Sequence, residues 1–417
     1  MLKKIRSISL SKKIFTGMVL GIIAGLFFGE SMEQFEFIGA LWMNCLKVPI
    51  APIVFVMLLL GIGRQTDARR LAGLSVGLIA YYIATTIMAS FLAIGVTSLI
   101  NPGADFIITG EASTLKAVEY TLSKFLLSLV PSSFLRPIVE NTVLQVLFLG
   151  IIGGVAVLLL PDQTLKQKIL DGCDCLQEFF NAILRLVLSI APIGIFCFMG
   201  ATVGVHGKET IFVMGKFMAS LLLADGIQLL FYGVVVIFLL AGKNPITFYK
   251  NMLPTWVIAM TTASSVLCIP SNIHVCSEKY DVDPALSSFG IPLGAQLNTD
   301  GTAIFLPCVL VFASQALGIH YDLITLLYMA LVSALIASTG GGVFGGALVK
   351  LIMLCQMFAV PDSIVTMVGG MFAIIDMFIT TVNVTGDAAG VIFIDSAAKR
   401  LAPKRAVSSS EESLAAK

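Results

Sequence analysis

Residues Gly369–Asp395 read GGMFAIIDMFITTVNVTGDAAGVIFID, an apolar run that nevertheless holds Asp376, Asn383 and Asp387. Burying one ionised carboxylate in hydrocarbon costs about 2.5–3.5 kcal/mol on insertion scales, so two in one segment need a compensating partner. A helix turns ~100° per residue, and the offsets of 7 (376 to 383) and 11 (376 to 387) return a side chain to within about 20° of its starting direction. The three polar groups therefore share one stripe. Ile379 and Thr380 flank it, and Phe372 lies one turn before it. Such a face points at a protected cavity and not at lipid. The same groups could also serve only to bind helices together through interhelical hydrogen bonds.

The rest of the 417-residue chain sets this stretch in a bilayer. Hydrophobic residues make up 57%, charged residues 12%, and the mean hydropathy is +0.97, whereas a soluble domain has about a quarter charged residues. The composition predicts an all-α polytopic membrane protein. Net charge is +1, and Lys and Arg cluster at the ends of apolar runs, so nothing points to nucleic acid. The eight cysteines stand mostly alone in apolar runs; Cys173 and Cys175 lack zinc-site or redox-pair spacing and all are read as buried small hydrophobes. Lys3, Lys4, Arg6, Lys12 and Lys13 precede the first run, Ile14–Phe28, which reads as an uncleaved helix. With Arg64, Arg69, Arg70, Lys166, Lys168, Lys399 and Arg400 at later helix ends, the charge bias predicts cytoplasmic termini at both ends.

Six spans are predicted at 13–30, 37–63, 71–100, 118–160, 176–203 and 210–241, the fourth broken by Pro131 and Pro137. The chain divides after them. Residues 1–242 hold six helices, 243–400 form an interrupted C-terminal core, and 401–417 form a polar tail expected to be disordered. Four interruptions mark the core: Thr261–Pro270, Pro292–Thr302, Ser338–Gly346 and Asp376–Asp387. They form two similar pairs. TTASSVLCIP precedes Asn298-Thr-Asp300-Gly301, and STGGGVFGG precedes Asn383-Val-Thr-Gly386-Asp387, with the asparagines 85 residues apart. Each half is expected to carry a re-entrant break followed by an unwound polar helix, the pattern of midplane binding sites.

The residue types in these breaks suit a hard cation, which favours carboxylate, amide, hydroxyl and freed backbone oxygens. Asp300 and Asp387 supply charge, Asn298 and Asn383 amide oxygens, and Gly294, Gly301 and Gly386 are expected to let the backbone open its carbonyls. Tyr82, Thr85 and Thr86 share one helix face by their spacing, although on its own this cluster is better explained by a core role. Main-chain N–H groups at broken helix tips, at Ser264–Ser265 and Gly340–Gly342, can hold a carboxylate without a basic residue. The buried acids are expected to be offset by mobile cations, with no fixed basic partner.

IPLGAQLNTDGTA at Ile291–Ala303, NVTGD at Asn383–Asp387, and YYIATT at Tyr81–Thr86 followed by NPGA at Asn101–Ala104 resemble the dicarboxylate/amino acid:cation symporters, which include sodium-coupled glutamate and neutral amino-acid transporters. The resemblance covers the chain except its tail. It implies eight transmembrane helices plus two re-entrant hairpins with tips near Ser264–Val266 and Gly340–Val343, a homotrimer, and a transport domain that moves against a scaffold. It also implies sodium sites: one from Gly294, Asn298, Asn383 and Asp387, a second from Tyr82, Thr85, Thr86, Asn298 and Asp300, and a third from carbonyls near Gln296, Ala337, Ser338 and Gly340. No organic cofactor is implied.

For the substrate, the resemblance implies that Asp376 receives an α-ammonium, that Asn383, Ser264, Ser265 and Val266 hold the α-carboxylate, and that Thr302, Val343 and Thr380 line the pocket. Acidic-substrate members carry an arginine where this chain has Ile379, and often another where it has Ala263; Thr299 replaces a usual methionine. A buried substrate carboxylate beside Ile379 would lack a counter-charge. The expected function is sodium-coupled uptake of a neutral L-amino acid across a bacterial inner membrane. Proton coupling, or uptake of acidic amino acids or C4-dicarboxylates, is the alternative within the family. A passive channel or an intramembrane hydrolase is the alternative outside it. The hydrolase is disfavoured because Asp376 and Asp387 lie about 16 Å apart along a helix.

Overall fold

A computed structural model describes residues 10–63, 72–104, 130–140, 142–339 and 345–401. Gly340, Val343, Arg64, Arg69, Arg70, the first part of the fourth expected span and the tail beyond 401 lie outside the described residues. Among those described, every regular element is helical. Five helical stretches, Lys13–Trp42, Val76–Ile100, Glu209–Leu240, Pro284–Ala316 and Asp362–Leu401, are long and apolar enough to cross a membrane, and a bent pair adds a sixth. The protein is a multi-pass membrane protein.

The N-terminal half departs from the expected spans at prolines. α1 (Leu10–Phe28) runs through a 3-10 segment at Gly29–Phe35 into α2 (Glu36–Lys47). The expected second span, 37–63, is therefore two helices, α2 and α3 (Ile50–Gly63), parted around Pro49, which cannot continue the amide ladder. α4 (Ala72–Ile100) matches the third expected span. A single turn at Arg136–Val139 and α5 (Val143–Leu158) are the described pieces of the fourth. The fifth is corrected likewise: α6 (Gln163–Ser189) and α7 (Ala191–His206) meet at 48°, with Pro192 in the first turn of α7. α8 (Lys208–Phe231) continues as a π-helix over Tyr232–Leu240.

The C-terminal half has non-helical residues at three of the four expected interruptions. Asn244 caps α9 (Pro245–Thr262) by accepting from Ile246 N at 2.9 Å and Thr247 N at 3.1 Å, with Pro245 at the start where no amide is needed. Ala263 then adopts a left-handed conformation (φ +47°), Ser264 is extended, and α10 (Ser265–His274) turns back against α9. A non-glycine residue in that region stores about 1 kcal/mol or more. α11 (Pro284–Leu297) and α12 (Asp300–Ala316) are parted by the non-helical Asn298 and Thr299. α13 (Leu323–Ala337) and α14 (Gly346–Met357) pack against each other.

The last helix corrects the remaining expectation. α15 (Asp362–Leu401) runs unbroken through Asn383–Asp387. It packs against α9, α11, α12, α4 and the π segment of α8. The first hairpin is tied to it by Trp256 Nε1 donating to Thr385 Oγ1 (2.8 Å) and Asn272 Nδ2 donating to the Val384 carbonyl (2.9 Å). These bonds form across helices while the ladder of α15 stays closed. Six cysteines are buried as expected, but Cys45 and Cys175 are exposed.

Candidate functional site

The two-residue gap between α11 and α12 lies against the polar stripe of α15. Asn298, at the end of α11, donates from Nδ2 to Asp387 Oδ1 (3.1 Å) and to the Asn383 carbonyl (3.3 Å). Asn383 in turn accepts the Gly301 amide at 2.8 Å on Oδ1, capping the free N-terminus of α12. Asn298, Asp300, Asn383 and Asp387 are all buried. One oxygen of Asp387, Oδ2, is buried without a hydrogen-bond partner.

Glycine makes this approach possible, by lacking a side chain more than by opening the backbone. A Cβ on Gly386 would fall 2.5 Å from Asn298 Nδ2 and 2.6 Å from the Tyr232 hydroxyl. One on Gly294 would fall 2.6 Å from Asp387 Oδ1, and one on Gly301 2.4 Å from the Ile379 carbonyl oxygen. The expectation that Gly386 unwinds its helix is thus replaced by close helix contact.

α4 closes the other side. Thr86 donates to Asp300 Oδ1 at 2.6 Å, and Thr85 to Asn298 Oδ1 at 3.2 Å. Tyr82 reaches the Gly290 carbonyl (3.0 Å) and the Asp387 carbonyl (3.4 Å), bridging the two expected sites. α8 and its π segment add two residues the sequence reading missed. Tyr232 donates to Asp300 Oδ2 at 2.5 Å, and Gln228 Nε2 donates to the same oxygen at 3.2 Å and to the Tyr232 hydroxyl at 3.2 Å. Their signal was a polar pair four residues apart inside an apolar span.

Asp376, nearer the N-terminal end of α15, is buried and accepts the amide of Gly345, the residue before α14, at 3.2 Å. Ile379, Thr380 and Thr302 are buried nearby in sequence, on α15 and in the first turn of α12. Ser264 and Ser265 are buried at the first hairpin's turn, whereas the Val266 side chain is exposed. The turn itself sits at Ala263–Ser264, one residue earlier than expected. Among the described residues no lysine or arginine lies within 4.0 Å of Asp300, Asp376 or Asp387.

The third expected site differs most. Gln296 is partly buried on α11 and Ser338 bonds back to the Ala334 carbonyl at 3.0 Å. The Ala337 carbonyl accepts both Thr299 Oγ1 and Lys350 Nζ, each at 2.5 Å. Lys350 is buried. The sequence reading had no place for this buried lysine, which pairs with a carbonyl and, among the described residues, with no acid within 4.0 Å. Lys350 had shown itself only as a single charge in the run GALVKLIMLCQM.

This clustering of buried acids, amides and hydroxyls around a broken helix agrees with the comparison to known proteins. The sodium:dicarboxylate symporter family matches residues 10–397. The chain belongs to that family. The symporter is 26% identical over 428 residues to a proton/glutamate-aspartate symporter of Escherichia coli (strain K12), covering 97% of each chain. It is 27% identical over 373 residues to a serine/threonine transporter of Bifidobacterium adolescentis, covering 88% of this chain and 84% of the relative. A C4-dicarboxylate transport protein of Bacillus subtilis (strain 168) is 26% identical over 358 residues, covering 82% of each. The symporter is accordingly a membrane transporter and not an enzyme.

Proposed function

We propose that this symporter couples inward sodium flux to the uptake of a neutral L-amino acid by alternating access. The observation that carries the sodium reading is the orphaned Asp387 Oδ2, buried beside the amide of Asn298 with no basic side chain within 4.0 Å among the described residues. A buried ionised oxygen without a partner is strongly unfavourable, and a hard cation from outside satisfies it. Gly294, Asn298, Asn383 and Asp387 would hold one sodium, and Tyr82, Thr85, Thr86, Asn298 and Asp300 another. Tyr232 and Gln228 orient Asp300 for that task.

Residue 379 supports the neutral substrate. Asp376 would receive the α-ammonium, Asn383 with Ser264 and Ser265 the α-carboxylate, and Thr302, Thr380, Val266 and Val343 would border the rest. Ile379 offers a substrate carboxylate nothing to pair with, and the buried Lys350 is engaged on the Ala337 carbonyl. The named substrates of the relatives are acidic amino acids, C4-dicarboxylates, and serine or threonine, so the family accommodates both substrate types. Eight membrane helices with two re-entrant hairpins, a homotrimer, a bacterial inner membrane and cytoplasmic termini complete the reading.

Proton coupling has an observation of its own: both carboxylate oxygens of Asp225 on α8 are buried without a hydrogen-bond partner. One experiment separates the readings. The protein is reconstituted in vesicles, sodium or proton gradients are imposed separately, and radiolabelled L-serine uptake is followed with L-alanine, L-threonine, L-glutamate and succinate as competitors. Concentrative uptake with the sodium gradient alone, blocked by the neutral amino acids, is expected. Uptake driven by the proton gradient alone, or blocked equally by glutamate or succinate, would sink the corresponding half of the proposal.

A further inference from the structure

Lys350 is the feature of the core that the proposed sodium and substrate sites leave unused. It sits in the second turn of α14, buried, with its Nζ on the carbonyl at the end of α13. Ala337 is the last residue of α13, so its carbonyl belongs to the negative, unsatisfied end of that helix. A carbonyl oxygen has two lone pairs. Here one faces Lys350 Nζ and the other Thr299 Oγ1, each at 2.5 Å. Nothing remains on that oxygen for a metal ion.

The carbonyl end of α13 carries the negative pole of its helix, which favours a donor with positive charge. Behind it, Lys350 borders a small, mostly apolar cavity walled by Ile53, Val54 and Met57 of α3, by Asn181 and Leu184 of α6, and by Thr339. We propose that Lys350 is a tethered cation, occupying the Ala337 carbonyl in place of a third transported sodium. The symporter then draws its coupling ions from the surroundings of Asp387 and Asp300 alone. This inference rests on the reading of those two aspartates as sodium ligands.

The test counts sodium ions by linkage on the purified full-length protein. The ratio of folded to unfolded protein is measured by thermal unfolding as sodium chloride replaces choline chloride at constant ionic strength, and the slope on logarithmic axes reports the ions bound. In K350M the site loses its tethered charge and gains a lone pair. A tenfold rise in sodium is expected to raise its folded ratio by tenfold more than in wild type, one additional ion. K350R keeps the charge and is expected to keep the wild-type slope. K350Q, which is neutral but still a donor, decides the matter if K350M does not fold, and the larger slope is expected there too. A sodium-dependent wild type whose slope is matched by the neutral variants overturns the tethered cation while leaving the sodium sites standing. A K350R slope as steep as that of K350M overturns it as well. A wild type indifferent to sodium removes both this inference and the coupling reading beneath it.

Discussion

Tyr232 and Gln228 both grip one oxygen of Asp300, and Thr86 grips the other, so three neutral donors hold this carboxylate with no basic residue within 4.0 Å among those described. A hydrogen bond to a charged group is worth about 1.5–3 kcal/mol. Tyr232→Phe is therefore expected to raise the sodium concentration for half-maximal uptake by roughly 10- to 100-fold, while L-serine at saturating sodium is still carried. An unchanged sodium requirement would mean that Asp300 holds its position without the tyrosine. Ile379 argues substrate choice at the same scale. Because it is buried on the stripe that also carries Asp376 and Asn383, Ile379→Arg is expected to shift competition toward L-glutamate by about tenfold or more, about 1.4 kcal/mol of new pairing. Competition by glutamate no stronger than in wild type would move the side-chain pocket elsewhere. The acids, amides and Ile379 were legible in the sequence because polar residues stand out in apolar runs. Tyr232 and Lys350 were not, since their meaning depends on partners 68 and 13 residues away that only folding brings near.

Helices meet closely here because glycine removes side chains at their contacts. Gly386→Ala places a Cβ 2.5 Å from Asn298 Nδ2, and overpacking of this kind costs typically about 1–3 kcal/mol. A lower melting temperature together with weaker sodium dependence is expected; a variant that melts like wild type and keeps its sodium affinity would show that α11 and α15 have slack. Outside the membrane helices, Asp322 caps α13 by accepting the Thr325 amide at 2.9 Å. Its hydrogen bonds to Thr325 hold its pKa below the ordinary 3.8. A depressed carboxylate stabilises the fold above its unfolded-state pKa, and that contribution fades as pH falls through the lower folded-state value. Asp322→Asn keeps a cap without a titrating group, so it should show less acid destabilisation between pH 5 and about pH 2 than wild type in matched thermal melts. Equal acid sensitivity would assign the wild-type loss to other carboxylates. At this scale the Ser-, Gly- and Asn-rich breaks were readable, because each lacks the side chains that sustain an apolar helix. The continuity of α15 was not, because Gly386 and Asn383 look like breakers until Gly386 is seen to make room for Asn298 and Tyr232, and the Asn383 amide oxygen to accept the Gly301 N–H.

A protein that binds sodium only when folded is stabilised by it through mass action, by about 2.7 kcal/mol at one hundred times the dissociation constant. The whole molecule is thus expected to melt at a higher temperature in sodium chloride than in choline chloride at equal ionic strength, with potassium closer to choline. Identical melting in all three salts would contradict sodium as a ligand of the resting carrier. At its end the molecule is clamped by Lys399, which pairs with Asp395 at 2.9 Å, and by Arg400, which donates to the Leu240 carbonyl at 2.8 Å. The Lys399 pair lies within α15, whereas the Arg400 bond holds the end of α15 to the end of the π segment of α8, so the helix that carries the acids is anchored to the helix that carries Gln228. From the sequence alone came the membrane class, the paired interruptions and the acids on one stripe, because hydropathy and helical period are local properties of a chain. The tertiary structure alone decided which donor meets which carboxylate, and that a lysine fills the carbonyl end of α13. Burial and lone-pair occupancy belong to pairs of residues brought together by packing, and no single stretch of chain contains both members.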